Sequence, residues 1–213
     1  MQQAENIQQK EKWQMGAIGE YMKIAFDELE RIMKDVGKEI RTDDLWEIVK
    51  QHAIAGAVSG VGAAALPGVG AVIATGAAVT STVAMYVRLS KVLGVSFKEG
   101  ALRALASVLI ADLSSYVVTT LTLSAALSFI PIVGQAGSAV LCAAANFSVV
   151  YLAAYIFIKT LTKLFKAGKK PDGVSEEELQ DIAKEVSSEN DLKDVVKEAS
   201  KQYKENKENK ENV

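Results

Sequence analysis

Residues able to do chemistry are few in this chain and far apart. It holds one histidine, His52, and one cysteine, Cys142. That inventory offers no internal disulfide and no cysteine-built metal site. As a ligand or general base, His52 would need acidic neighbours at helical spacing. Asp43 and Glu47 lie nine and five residues upstream and complete no cluster. The expectation is an interfacial histidine with no special task. Cys142 stands among alanines, as a small buried residue does. Asp43-Asp44 and Glu176-Glu177-Glu178 follow Thr42 and Ser175. Carboxylates there complement the positive end of a helix and do not read as an acid/base pair. Gly168-Lys169-Lys170 lacks the upstream glycine and the following Ser/Thr of a phosphate loop. The glycines between positions 56 and 76 follow no strand and precede no suitably spaced acid, so they are not a dinucleotide fingerprint. The sequence therefore predicts no catalytic residue, no cofactor and no metal, and a protein that is not an enzyme.

The elements that carry these residues are set by charge. Residues 1–52 hold 8 basic and 11 acidic side chains. Residues 53–158 hold four basic ones (Arg88, Lys91, Lys98, Arg103) and two acidic ones (Glu99, Asp112). Five lysines and no acid occupy 159–170, and residues 171–213 hold 7 basic and 13 acidic groups. The net charge of −2 is a sum over unlike blocks. None of them makes a basic face suited to nucleic acid, so no nucleic-acid partner is expected. The first ten residues are polar, and no secretory signal is expected from them.

Apolar Ile18, Met22, Ala25, Phe26, Leu29, Ile32, Met33 and Val36 recur every three or four residues, predicting an amphipathic helix that Gly37 stops. Thr42 is expected to cap the next helix, carried on by Leu45, Ile48 and Val49. Residues 53–87 and 113–158 then form runs of 35 and 46 residues without a formal charge. Each run is broken by a related element, Leu66-Pro67-Gly68-Val69-Gly70 and Ile130-Pro131-Ile132-Val133-Gly134, offset by 64 residues. Proline lacks the N–H that continues a helix, and glycine permits a turn. Each run is thus expected to fold as helix, turn, helix. Gly94 suits the end of one helix, and Ser96-Phe97-Lys98-Glu99 matches a capping box for the next. Ser175 to Glu178 matches another, followed by Leu179, Ile182, Ala183 and Val186 on one face. The fold class is all-α: two Ala/Gly-rich hairpins flanked by amphipathic helices. The expected division is 1–52, N-terminal amphipathic helices; 53–165, a double-hairpin membrane domain; 166–203, an acidic helical segment; and 204–213, a disordered Lys-Glu-Asn tail.

Length and composition point the hairpins toward lipid. At 1.5 Å per residue, the arms of the second run reach about 26 and 36 Å, against a hydrocarbon core of about 30 Å. The first arm of the first run reaches only about 20 Å, so that hairpin is expected to be shallow, re-entrant or tilted. Gly56 and Gly60 form a small-xxx-small pair for close helix packing, and Pro67, Gly68, Gly70, Pro131 and Gly134 are the expected turn residues. Lys159, Lys163, Lys166, Lys169 and Lys170 form a juxtamembrane row, equally an anionic-headgroup site or an ordinary flank. Arg103 and Asp112 are expected near the interface, where they can pair. Tyr86, Tyr151, Tyr155, Trp13 and Trp46 are candidate interface anchors, with core packing an equal alternative for the tyrosines.

Ala-Leu-Pro-Gly-Val-Gly-Ala at 65–71, the helix carrying Met85-Tyr86-Val87-Arg88-Leu89 with Gly94 beyond it, and Phe-Ile-Pro-Ile-Val-Gly at 129–134 together resemble the uncharacterised YcjF-like family. These helical domains occur alone or behind Era-type GTPase domains in bacteria. The resemblance covers about residues 48–165, and the chain lacks the acid usual after the family's first Pro-Gly turn. It implies membrane association, a bacterial inner-membrane location and partnership with a GTPase, and no catalytic residue. The functional expectation is a membrane anchor or adaptor with both termini cytoplasmic, recruiting a soluble partner through its amphipathic ends. Two alternatives stand beside it. One is a pore-forming homo-oligomer built through Gly56, Gly60 and Gly134. The other is a soluble helical scaffold whose core is the hairpins.

Overall fold

The computed structural model describes residues 17–64, 70–98, 100–127 and 135–188, with side chains described outside 17–19, 59–75, 115–142 and 144. Periodicity in the first segment gives α1 (Ala17–Asp35), whose Met22, Ala25, Phe26, Leu29 and Met33 are buried. The stripe stops there: Val36 lies past the last helical turn and is exposed. A left-handed glycine, Gly37, ends the helix, with the Lys38 N–H donating to the Met33 carbonyl at 2.8 Å. Next comes α2 (Thr42–Ala64). Arg41, not Thr42, takes the cap position, because its carbonyl accepts from Leu45 N–H at 3.4 Å. Thr42 is one residue inside the helix.

The third helix, α3 (Gly70–Leu93), runs antiparallel to α2. His52 contacts Ser81, and these lie 15 residues before and 14 after Pro67. Contact between positions on either side of the break is what two antiparallel helices produce. Gly94 ends α3 at φ +60°, where Val95 N–H donates to the Ser90 carbonyl at 2.9 Å. Lys38, from the α1–α2 loop, donates to the Gly94 carbonyl at 2.6 Å, so one loop caps another helix's end.

The Ser96 capping box does not form as expected, since α4 (Ala101–Leu127) begins five residues later. Gly100 stands at φ +87°, outside the helical region, and its carbonyl accepts the bond from Ala104 at 2.9 Å. The helix can start only after it. Arg103 and Asp112 are both exposed on α4, but nine residues is two and a half turns. They project from opposite faces, and no ion pair joins them among the described residues.

The longest helix, α5 (Gln135–Lys166), packs against all five other α-helices. From Phe147 to Ile158 every residue is buried. A helix that is apolar all round belongs in a core or in lipid, and this stretch is surrounded by protein. Tyr86 of α3 stacks on Phe157 with ring centroids 4.3 Å apart and donates its hydroxyl to the Ala153 carbonyl at 2.9 Å. Phe26, Trp46 and Tyr151 continue edge to face across α1, α2 and α5. The tyrosines are core residues; Trp13 lies outside the described residues. A 3₁₀ turn (Pro171–Gly173) leads to α6 (Glu176–Ser187), capped as expected by Ser175 Oγ, which accepts from Glu178 N–H at 3.1 Å. Leu179, Ala183 and Val186 bury the face of α6 that meets α4 and α5. The fold is all-α among the described residues, with α5 as its axis.

Candidate membrane interface

A polar girdle crosses the first hairpin. The His52 Nδ1 and Ser81 Oγ are 3.3 Å apart, and Ser81 Oγ donates to the His52 carbonyl at 3.3 Å. Arg88 Nη1 lies 3.4 Å from His52 Nε2 and donates to Gln51 Oε1 at 3.0 Å; Gln51 in turn donates to Glu47 at 3.0 Å. These bonds assign the tautomer. With its proton given to a carbonyl, Ser81 accepts from Nδ1–H. That leaves Nε2 as the acceptor facing the guanidinium. Burial, reinforced by the Arg88 charge, holds the imidazole pKa below its ordinary 6.5, so the ring is neutral. A Ser–His nucleophile needs the reverse: a base accepting from the hydroxyl and a carboxylate on the far nitrogen. Here a cation stands on the far nitrogen. The arrangement staples α2 to α3 and cannot activate Ser81.

Sequence reasoning missed this cluster because it searched near His52 along the chain. The partners lie 29 and 36 residues away on the opposite arm. The available signal was the hairpin itself: folding the chain about Pro67 brings Ser81 opposite His52.

The lysine row falls at the C-terminal end of α5 and just beyond it. Lys159 and Lys166 both reach Glu28 of α1, at 3.3 and 2.5 Å. Lys163 pairs with Glu185 of α6 at 3.2 Å, and Lys169 bonds to Glu178. Lys170 is exposed. Hydrogen bonding from Lys166, outweighing desolvation, holds the Glu28 carboxyl below its ordinary value. Four of the five lysines therefore fasten α1 and α6 to the foot of α5.

Of the expected packing residues, Gly56 is buried against α5. A Cβ there would stand 2.9 Å from Val150 Cγ2 and 3.5 Å from the Asn146 carbonyl oxygen. Gly60 lies within α2 and Gly70 opens α3. Pro67, Gly68, Pro131 and Gly134 lie outside the described residues, and so does the side chain of Cys142. No group of three or more His, Cys, Asp or Glu able to hold a metal occurs among the described residues.

Above the girdle the outer surface of α2 changes character. Glu47 and Gln51 of the girdle and Lys50 beside them are exposed; Ile54 and Val58, one turn apart on one face, are 48% and 67% exposed above it. One segment among the described residues, Ala145–Lys166, is long and apolar enough to cross a membrane, and 89% of its most apolar window is buried inside the protein. No protein-family model, curated protein or solved structure matches the chain.

Proposed function

We propose that this chain is a non-enzymatic membrane anchor or adaptor. It sets the uncharged ends of its two hairpins into lipid and holds an ion-paired helical foot in the cytoplasm, with both termini on that side. The observation that carries this reading is the polarity of the bundle along its axis. Charges and ion pairs gather at the foot, and the outer face of α2 turns apolar at Ile54 and Val58. The runs 53–87 and 113–158 carry no formal charge. The neutral His52 network supports a role without catalysis. The resemblance to YcjF-like domains supports partnership with a GTPase, met by the charged outer faces of α1 and α6.

The deciding experiment is membrane fractionation of the expressed protein with an alkaline carbonate wash, followed by protease treatment of sealed vesicles. The anchor predicts retention in the pellet until detergent is added, with residues 1–45 and 175–200 open to cytoplasmic protease. Protection of both tails would overturn the orientation. Dye leakage from liposomes at low protein-to-lipid ratio would replace the anchor by a pore. A soluble scaffold is the second reading, favoured by the burial of every residue from 147 to 158 of α5. It predicts release into the carbonate supernatant as a monodisperse species.

A further inference from the structure

We infer that the foot formed by α4 and α5 is a docking site for a thirteen-residue acidic helix unit, and that this chain carries two occupants for it. One is α6. The other is the segment 188–200, which repeats the α6 unit and exchanges with it at the same site. Membrane insertion is not needed for this.

The repeat stands in the sequence. Residues 175–187 are Ser-Glu-Glu-Glu-Leu-Gln-Asp-Ile-Ala-Lys-Glu-Val-Ser, and residues 188–200 are Ser-Glu-Asn-Asp-Leu-Lys-Asp-Val-Val-Lys-Glu-Ala-Ser. The units are contiguous, and seven of the thirteen positions are identical. The structure gives each position of the first unit a use. Ser175 Oγ accepts from Glu178 N–H at 3.1 Å, Glu178 bonds to Lys169, and Glu185 meets Lys163 at 3.2 Å. Leu179, Ala183 and Val186 are buried where α6 packs on α4 and α5, and Ile182 is partly buried against the same core. Every one of these positions keeps its chemistry thirteen residues later. Ser188 can cap, Asp191 and Glu198 match the two lysines, and Leu192, Val195, Val196 and Ala199 supply the apolar face. The charge changes fall at Glu177 and Gln180, which become Asn190 and Lys193, and neither of the two is buried.

One continuous helix cannot present both units to the foot. At 3.6 residues per turn, an offset of thirteen residues rotates the apolar stripe by about 220°. The described helix stops at the junction: Ser188, its C-cap, donates its hydroxyl to the Glu185 carbonyl at 2.7 Å. Beyond Ser188 the second unit lies outside the described residues. Two differences make α6 the resident. Ala183 and Val186 become Val196 and Ala199, which adds two methyl groups at one buried position and removes two at another. The chain between Lys166 and the first ion-pairing acid also lengthens from 12 residues to 25, a loop-closure cost of about threefold in the equilibrium. The second unit is therefore the minor occupant.

The test is hydrogen exchange on the full chain, read separately over 176–187 and 189–200. Leu179→Asp with Val186→Asp strips the first unit of its apolar face. Exchange across 176–187 should accelerate, and exchange across 189–200 should slow by about tenfold or more as the second unit takes the vacated site. Protection of α4 over 101–109 should persist, and adding Leu192→Asp should remove the slowing. A second variant leaves the first unit untouched. Val196→Ala with Ala199→Val gives the second unit the buried side chains of the first, and should raise protection of 189–200 at the expense of 176–187. If exchange across 189–200 slows in neither variant, the shared site is overturned. Slowing found only in a dimer on size exclusion would overturn exchange within one chain, because the second unit would then sit on another copy.

Discussion

Among the described glycines, Gly56 is the one where an added Cβ would meet its nearest atom, and its replacement reads that contact directly. The Val150 methyl that a new Cβ would meet belongs to a β-branched side chain with little freedom to turn aside. Gly56→Val is expected to lower unfolding stability by about 1–3 kcal/mol, the usual cost of overpacking, in denaturant titration. Gly56→Ala should fall nearer neutral, since the contact is offset by a helix-propensity gain of about 1 kcal/mol. Thr160 offers the opposite case. Its hydroxyl is buried on α5 with no hydrogen-bond partner. Thr160→Val keeps the shape and removes the unsatisfied group, so stability should rise by about 1 kcal/mol in the same titration. The pH dependence follows from two other residues. His52 is the only histidine, and its folded pKa lies below 6.5. The unfolded chain therefore takes up the proton first, and stability should fall as pH drops below 6.5. Thermal melts of His52→Gln should lack that limb. Glu28 has a lowered folded pKa, so its contribution is present above 4.5 and disappears as pH falls through the folded value. Glu28→Gln should flatten the acid side of the melting curve below pH 4.5 without changing the onset of the His52 limb below pH 6.5.

Among the elements, α6 is short and has a small buried face. Only Leu179, Ala183 and Val186 are buried along its 12 residues, and two ion pairs tie it to the foot of α5. Replacing Lys163 and Lys169 together by Glu sets like charges against Glu185 and Glu178. The expected outcome is selective release of α6, seen as faster hydrogen exchange across residues 176–187 with exchange in α2 and α3 unchanged. Equal acceleration everywhere would mean that the lysines hold the whole bundle. Helix starts and stops show how local chemistry competes. Gly37, Gly94 and Ser175 mark ends that their own residue types specify. Ser96 had the pattern of a cap, yet Gly100 moved the start of α4, because a backbone at φ +87° cannot lie inside a helix.

The whole molecule is organised along one axis, and lipid contact is predicted to follow it. Replacing Ile54 and Val58 by Asp puts two carboxylates on the face that should meet acyl chains, each opposed by up to about 3 kcal/mol at bilayer depth. Flotation with vesicles should be lost while circular dichroism keeps its helical signal. The same pair of changes at Ile24 and Val36, on the foot, should leave flotation intact.

The residues alone determined the helices, the two hairpins and the segregation of charge, because periodicity, proline and glycine act over a few positions. Even the antiparallel partner of His52 was implicit in the position of Pro67. What the tertiary structure decided was why each apolar residue is apolar. A run such as 113–158 reads the same whether lipid or protein surrounds it, since hydrophobicity is indifferent to its apolar neighbour. Packing alone assigned residues 147–158 to the core. Packing also turned the lysine row from a flank into a clasp, because Glu28 lies 131 residues from Lys159 in sequence and is brought to it only by the docking of α1 on α5.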